Sequence, residues 1–276
     1  MSYTVVQQTL DLPSAEQVKR AFGSVEGLTK MDAEALSKQP FGILAKFDEE
    51  SMAEALKDAL IKEGVPAEVV DEANLPELPQ PYHLNRLDFS PDALLITDTI
   101  GRIKEVPWTD VLIVAAGKVN MREFVEIRRQ WANSIGEKEF KFLQTMDSRL
   151  AFTDRHYVPR GRGYWKLRPV DITSREEEHD RHLLEIILAG GKLRYSINAD
   201  KAPFLFSFLG ERRTKNLSED FLMLVRDLIP NVPHAALNRG AFAAQENAIE
   251  PFTYPGKTAF YHEIVWLLWH AMRERA

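Results

Sequence analysis

The stretch that decides the fold runs from Asp88 to Gly117 and reads DFSPDALLITDTIGRIKEVPWTDVLIVAAG. Residues 93–97 are apolar and rich in residues that favour strands, and the Asp-Thr-Ile-Gly sequence after them supplies turn residues. Residues 102–106 alternate between charged and apolar side chains, as a half-exposed strand does. Residues 111–115 are apolar enough to be buried on both faces of a sheet. The stretch therefore predicts three successive strands that form the nucleus of a sheet.

The composition limits the kinds of protein that this chain can be. Its 276 residues favour two domains, and 41 acidic against 35 basic residues give a net charge of -6, which argues against a generic nucleic-acid binder. Because cysteine is absent, disulfides, thiol catalysis and zinc sites with cysteine ligands are excluded. The first residues do not resemble a signal peptide, and no apolar run approaches the roughly 20 residues that span a bilayer. We expect a cytoplasmic protein with no membrane span and no cofactor.

The sequence predicts a two-domain α+β protein. Its first 73 residues are predicted to form a small α/β module with the element order β-α-α-β-α-β. Apolar residues recur at helical spacing in the predicted helices and cluster in the predicted strands. A proline-rich linker follows at 74–83, where closely spaced prolines favour an extended spacer. The predicted strands cover 3–10, 41–47 and 67–70, and the predicted helices begin near Pro13, Met31 and Asp48.

Two parts of this module carry a resemblance to a known family. They are Gly27–Leu36, which reads GLTKMDAEAL, and Ala59–Val69, which reads ALIKEGVPAEV. These runs, in this element order, resemble the C-terminal domain of the ribosomal stalk protein, and the resemblance implies the same fold for residues 1–73. In that family, basic residues on the helix before the Gly-Leu step contact translation GTPases, and Lys19 and Arg20 match that character here.

Residues 84–276 predict an antiparallel sheet domain with additional C-terminal helices. An apolar strand that ends in Thr97 leads to a turn at Gly101, and the sequence Val-Pro-Trp-Thr-Asp-Val follows. This order resembles bacterial pleckstrin-homology-like domains from about residue 86 onward, and it implies a pleckstrin-like sheet in a bacterial protein. A charged section at about 118–181 is predicted to be an insertion, irregular over most of its length. One helix is predicted within it, with Phe124, Ile127, Trp131 and Ile135 at helical spacing.

Regular structure is predicted again from His182 onward. Alternating residues on either side of Gly190-Gly191 predict a hairpin, and Phe204–Leu209 predicts another strand. Ser218 caps a predicted helix. A loop then leads to Pro255, and the last predicted helix is Thr258–Arg273.

His179 and His182 are a candidate metal-binding pair. They are three residues apart and follow three glutamates, and residues at this spacing share one face of a helix. A strand pattern begins at about Leu183, so the helix that this geometry needs is not assured. A solvated charge run is the alternative interpretation.

A basic and aromatic segment at 160–168, RGRGYWKLR, is the candidate for binding a polyanion. Such segments stack bases and contact phosphates. A surface loop with an anchored Tyr-Trp pair is the alternative, and nucleic acid is not the favoured partner because the chain is acidic overall. The candidate residues are Arg160, Arg162, Tyr164, Trp165, Lys166 and Arg168.

The C-terminal helix is the candidate for a protein contact. One face is accounted for by residues such as Phe260 and Ile264. Tyr261, Trp266 and Trp269 remain on the other side, and they offer more apolar area than a lone domain usually exposes in one patch. The helix is therefore either wedged between the sheet and the N-terminal module, or a contact surface for another chain.

The sequence favours a non-catalytic interaction or regulatory scaffold protein, because it shows no recognisable set of catalytic residues. We expect a protein partner or self-association. Polyanion binding through 160–168 is the second hypothesis. An enzyme whose site is not visible in the sequence is the third, and a fold that gathers several ionisable groups would support it.

Overall fold

The computed structural model describes residues 2–9, 11–28, 41–98, 100–129, 132–135, 157–160, 163–167, 171–200, 206–214 and 216–274. Contacts divide the chain into two compact units, one formed by 1–121 together with 180–276 and the other by 122–179. The second unit falls within the section that the sequence marks as an insertion. Helices and strands are both present in quantity, so the predicted α+β class is confirmed. Among the described helices, none is long and apolar enough to cross a membrane.

The N-terminal part of the first unit is an antiparallel sheet of three strands in the order β2-β1-β3. Two helices share one apolar cluster with this sheet. Ser14 caps the first helix by accepting a hydrogen bond from the Gln17 backbone N–H, whereas the second helix begins after Glu49 rather than after the predicted Asp48. The predicted helix at 31–38 lies outside the described residues. The elements are β1 (Tyr3–Gln7), α1 (Ala15–Ser24), β2 (Ile43–Phe47), α2 (Glu50–Lys62) and β3 (Ala67–Asp71).

The rest of the first unit is built on a sheet of eight strands. Their order is β13-β7-β11-β12-β4-β5-β6, and β14 also pairs with β7. The pairs β11–β12, β4–β5 and β5–β6 are antiparallel, but β12 runs parallel to β4, and β13 and β14 run parallel to β7. The sheet is therefore mixed, and the prediction of an antiparallel sheet is wrong for these three pairs. The strands are β4 (Pro81–Phe89), β5 (Ala93–Asp98), β6 (Ile103–Pro107), β7 (Val111–Arg129), β11 (Asp171–Leu188), β12 (Arg194–Asn198), β13 (Ala236–Leu237) and β14 (Thr253–Tyr254).

The three strands predicted from the opening stretch are β5, β6 and the start of β7, which confirms the sheet nucleus. The hairpin across Gly190-Gly191 is also confirmed, because it joins β11 to β12. In contrast, β4 was not predicted, and residues 81–83 of the predicted linker belong to it. The prolines before it had made the whole segment look like a spacer.

Each face of the large sheet carries an apolar cluster shared with other parts of the first unit. Leu184 and Ile186 of β11 belong to an apolar cluster that includes α3 (Leu217–Leu228) and α4 (Arg239–Gln245). Leu183 and Ile187, on the other face, belong to a second cluster with α5 (Lys257–Arg273) and residues of the small sheet. The helix α5 thus lies next to both sheets. The prediction of a last helix at 258–273 is confirmed.

The second unit contains an antiparallel sheet of three strands in the order β8-β10-β9. The helix predicted between Phe124 and Ile135 is wrong where the structure describes this part of the chain, because these residues lie in β7 and β8. Val125 and Ile127 alternate with charged residues, a strand period that the helical spacing concealed. The predicted irregular section is likewise wrong at β9 and β10. The strands are β8 (Ala132–Ile135), β9 (Tyr157–Arg160) and β10 (Gly163–Leu167).

Three other local predictions differ from the structure. Ser207–Arg212 forms a 3-10 helix rather than the end of a strand, and 201–205 lie outside the described residues. The predicted loop before Pro255 contains α4, whose first turn is capped by Asn238. Residues 174–181, in the section predicted to be irregular, belong to β11.

Candidate functional site

The second face of α5, predicted as a wedge or a contact surface, lies against the chain itself. Trp266 is fully buried, and its indole Nε1–H donates a hydrogen bond of 2.7 Å to the backbone carbonyl of Gln7. The centroid of its ring is 4.9 Å from that of Phe41. Gly42 has φ of +74°, and a Cβ there would lie 3.1 Å from the indole, so the close approach requires glycine. The helix is therefore wedged against the N-terminal module, which was the first alternative.

Tyr261 and Trp269 are also engaged within the chain. The Arg194 guanidinium lies 4.7 Å from the centre of the Tyr261 ring, and it forms an ion pair of 2.8 Å with the fully buried Glu185. Burial, with the charge of Glu185, raises the pKa of Tyr261. Trp269 is 6% exposed, and Arg273 stacks on its ring at 4.4 Å. These contacts account for the face without a second chain, and an interaction role for its residues stays a prediction.

The candidate metal pair lies on a strand. His179 and His182 both belong to β11, where residues an odd number of positions apart point to opposite faces. The helical geometry on which this candidate depends is therefore absent. Across the described residues, no group of three or more His, Cys, Asp or Glu residues could hold a metal ion.

The basic and aromatic segment belongs to the small sheet of the second unit. Arg160 ends β9, while Tyr164, Trp165 and Lys166 lie on β10 between β8 and β9. The segment is thus strand where it is described, and the alternative of a surface loop is wrong for 163–167. Arg162 and Arg168 lie outside the described residues. Polyanion binding stays a prediction.

An open basin lies on one face of the large sheet, where β4, β5, β6 and β12 run side by side. Each strand, with the residue next to it, contributes two side chains that are two positions apart and so point to the same face. The basin has a volume of about 380 Å³, towards the lower end of the range for ligand pockets. Its lining residues are Tyr82, Leu84, Ile96, Asp98, Arg102, Lys104, Leu193 and Tyr195.

The floor of the basin is apolar and belongs to the core. Leu84, Ile96 and Tyr195 are at most 5% exposed and form part of the apolar cluster on this face of the sheet. Tyr82 stands beside Tyr195, with 6.1 Å between the ring centroids, because the parallel pairing of β12 with β4 places these two residues opposite each other. A floor fixed by core packing holds its shape when a ligand enters.

The basin has one cation without a carboxylate partner. The Lys104 Nζ donates to the hydroxyl of Tyr195 at 3.2 Å, and it forms no ion pair with a described residue. Arg102, in contrast, pairs with Asp98 at 2.7 Å. Hydrogen bonds from the backbone N–H and then the side chain of Arg102 hold the pKa of Asp98 below its usual value. The charge available to a ligand is therefore that of Lys104.

Large apolar side chains stay exposed around this end of the sheet. Tyr82 is 59% exposed, Ile103 is 71% exposed, and Ile100 in the turn before β6 is 77% exposed. Among the described strands, β6 has a neighbour on one side only, so it is an edge of the sheet. Of these exposed residues, Tyr82 lines the basin, whereas Ile103 is adjacent to Lys104 on β6 and points to the opposite face of the sheet.

A second hollow, of about 820 Å³, lies between the edge of the N-terminal three-stranded sheet, residues 71–78 and α5. Lys46, the lysine in its lining, is already paired, because it forms an ion pair with Glu72. Burial, with the charge of Lys46, lowers the pKa of His262 in the same wall. The basin is the better candidate site because its cation is available.

Sequence reasoning found β5 and β6 but missed the basin. Ile96 with Asp98, and Arg102 with Lys104, show the spacing of two that places side chains on one face. This signal could have identified half of the lining. The other half depends on β4 and on its parallel pairing with β12, which local sequence does not encode.

No known protein family matches the sequence, and no curated protein or solved structure matches the chain. The basin's geometry and charge are therefore what supports a function.

Proposed function

We propose that the protein is an interaction protein that binds a partner protein through the basin, without a catalytic step there. The observation that carries this proposal is the open, apolar and aromatic floor beside the unpaired Lys104 at a sheet edge. The volume of about 380 Å³ suits one or two side chains of a partner better than a large cofactor.

The chemistry of the lining defines the partner segment. Apolar side chains of the partner would pack on the exposed ring of Tyr82 over the buried floor, and a carboxylate would pair with Lys104. Rows of side chains two positions apart suit an extended segment, whose own side chains alternate in the same period. We therefore propose an extended segment in which apolar and acidic residues alternate.

A different protein fits this edge better than a second copy of the chain. The edge strand carries Lys104 and Glu105 and ends at Pro107, and such residues oppose edge-to-edge pairing of identical sheets.

Fluorescence anisotropy of a labelled peptide that alternates Asp and Leu tests the proposal. We expect saturable binding that weakens with salt, because the contact with Lys104 is electrostatic. Tyr82→Ser and Lys104→Glu should each weaken binding by about tenfold, or about 1.4 kcal/mol. Ile249→Ser is the matched control, since Ile249 is 90% exposed and does not line the basin.

Equal affinities of Tyr82→Ser, Lys104→Glu and the control would contradict the basin as the binding site. A peptide that alternates Lys and Leu separates charge complementarity from general stickiness, because it should bind more weakly than the acidic peptide. If the protein instead forms dimers that Tyr82→Ser dissociates, a second copy is the partner and the proposal of a different protein is wrong.

A further inference from the structure

Three side chains that can carry acyl-transfer chemistry meet beside α3, and none of them lines the basin. His182 lies on β11, Asp200 follows β12, and Ser218 is the second residue of α3. The Nε2 of His182 is 2.9 Å from the Oγ of Ser218, and its Nδ1 is 3.2 and 3.3 Å from the two carboxylate oxygens of Asp200. A hydroxyl nucleophile, a base and a group that orients the base thus stand at hydrogen-bond distance from one another.

These contacts define where the imidazole carries its proton. An ionised carboxylate only accepts hydrogen bonds, so Nδ1 donates to Asp200 and Nε2 is left to accept the hydroxyl proton of Ser218. Burial alone would raise the pKa of Asp200, but hydrogen bonds from the ring and the backbone N–H of His182 outweigh it and hold that pKa below its usual value. The hydroxyl therefore faces a base in the required tautomer.

The surroundings hold the three groups in place and leave one of them accessible. His182 is 6% exposed, with its ring centroid 5.3 Å from that of Phe221, whereas Ser218 is only partly buried. The Oδ1 of Asn216 accepts a hydrogen bond from the Ser218 backbone N–H at 3.0 Å, which fixes the start of α3. Backbone N–H groups of a first helical turn have no acceptor within the helix, and the helix dipole favours negative charge there. A negative charge that develops next to Ser218 would lie in the field of this dipole.

We propose that Ser218 is a nucleophile that reacts with carboxylic esters. Its Oγ forms a bond to the acyl carbon while its proton moves to Nε2 of His182, and that proton then leaves with the alkoxide as an alcohol. Water next gives a proton to His182 and adds to the acyl carbon, which releases the carboxylic acid and restores the hydroxyl. Asp200 is a positioning residue that holds the imidazole and balances its positive charge.

A fluorophosphonate probe tests this proposal, because a serine nucleophile attacks its phosphorus and expels fluoride. We expect an adduct on Ser218, located by mass spectrometry, that Ser218→Ala abolishes. His182→Gln should slow labelling by about 100-fold or more, because the general base is lost. Asp200→Asn should also slow it, and should shift the dependence of labelling on pH, because the amide favours the wrong tautomer of the imidazole.

Ser14→Ala is the matched control, because Ser14 also lies at the start of a helix but its hydrogen bonds go to Gln17 rather than to an imidazole. Its labelling rate should equal that of the wild-type protein. Folding of each variant is checked by circular dichroism. If His182→Gln does not fold, the labelling rate of Asp200→Asn tests the proposal instead. Folded wild-type protein without an adduct on Ser218 would overturn the proposal. So would equal labelling of Ser218 in the folded His182→Gln and Asp200→Asn variants, and the three residues would then only fasten α3 to the sheet.

Discussion

The two faces of β12 differ in how the chain covers them. On one face, Arg194 and Ser196 bind the fully buried Glu185, and Tyr261 of α5 lies over the guanidinium. On the other face, Tyr195 forms part of the floor of the basin, which the described residues leave open. An apolar or aromatic pattern therefore predicts that a surface is buried in a contact. It does not predict whether that contact is made by the same chain or by another protein.

The tryptophans of α5 are a case in which the predicted contact is made within the chain. Their pattern predicted a contact, and the contact for Trp266 is the N-terminal module of the same chain. The exposed apolar residues near the sheet edge, by contrast, have no such cover within the described part of the chain. We therefore place the partner surface at the basin rather than on α5.

Trp266→Ala is expected to cause the largest loss of stability among the changes that test this comparison. Removing a fully buried tryptophan should lower the free energy of unfolding by about 3–5 kcal/mol. Urea unfolding measures the effect, and Ile103→Ala, at a residue that is 71% exposed, should change it by less than about 0.5 kcal/mol. A loss below about 1 kcal/mol, or an altered oligomeric state with unchanged stability, would return α5 to the role of a partner surface.

Arg194→Met tests the covered face of β12 through its buried ion pair. The substitution leaves Glu185 buried without its cation, so we expect a loss of about 3–5 kcal/mol in the free energy of unfolding. The double variant Glu185→Leu, Arg194→Met should recover about half of this loss or more, because apolar replacement of both partners removes the uncompensated charge. Additive losses in the double variant would show that the pair does not act as a unit.

The pH dependence of stability tests the contacts of Asp200, which lie beside α3, the helix in the same apolar cluster as Tyr195. Its lowered pKa stabilises the fold fully above the unfolded value of about 3.9, and the contribution is lost as the pH falls through the folded value. Acidification from neutral pH should therefore cost the wild-type protein more stability than Asp200→Asn, which cannot titrate. Parallel unfolding curves against pH for the two proteins would contradict these contacts.

The smallest effect is expected for the strands of the second unit. If residues 160–168 bind polyanions, Arg160→Glu and Lys166→Glu should shorten retention on heparin, but only slightly, because the chain has a net charge of -6. Lys19→Glu is the control for a general charge effect. If all three variants are retained equally, residues 160–168 are not a polyanion-binding site.

Elements that local chemistry decides could be predicted from the sequence. The Asp-Thr-Ile-Gly turn and the alternation after it determine β5 and β6, and Gly190-Gly191 determines the next hairpin. The parallel pairing of β12 with β4 could not be predicted, because it depends on how distant strands share one core. The basin was missed for this reason, since Tyr82 and Tyr195 meet only through that pairing.

The cluster of His182, Asp200 and Ser218 could not be predicted from the sequence either, because it also depends on how distant elements pack together. His182 attracted attention for its spacing from His179, but its observed partners are Asp200 and Ser218, which come from other elements. The sequence predicted Ser218 only as the cap of a helix, and this was wrong, because Asn216 caps α3. Periodicity predicts the side of a helix or strand on which a residue lies. The tertiary structure determines which residues it contacts there.

An amide NMR titration with the peptide that alternates Asp and Leu tests the central claim, partner binding at the basin, most directly. We expect the backbone signals of Tyr82, Lys104 and Tyr195 to shift with added peptide. The indole N–H signal of Trp266 should stay in place, because that group remains bonded to the carbonyl of Gln7. Shifts confined to Trp266 and its neighbours on α5, with the basin signals unchanged, would contradict the account.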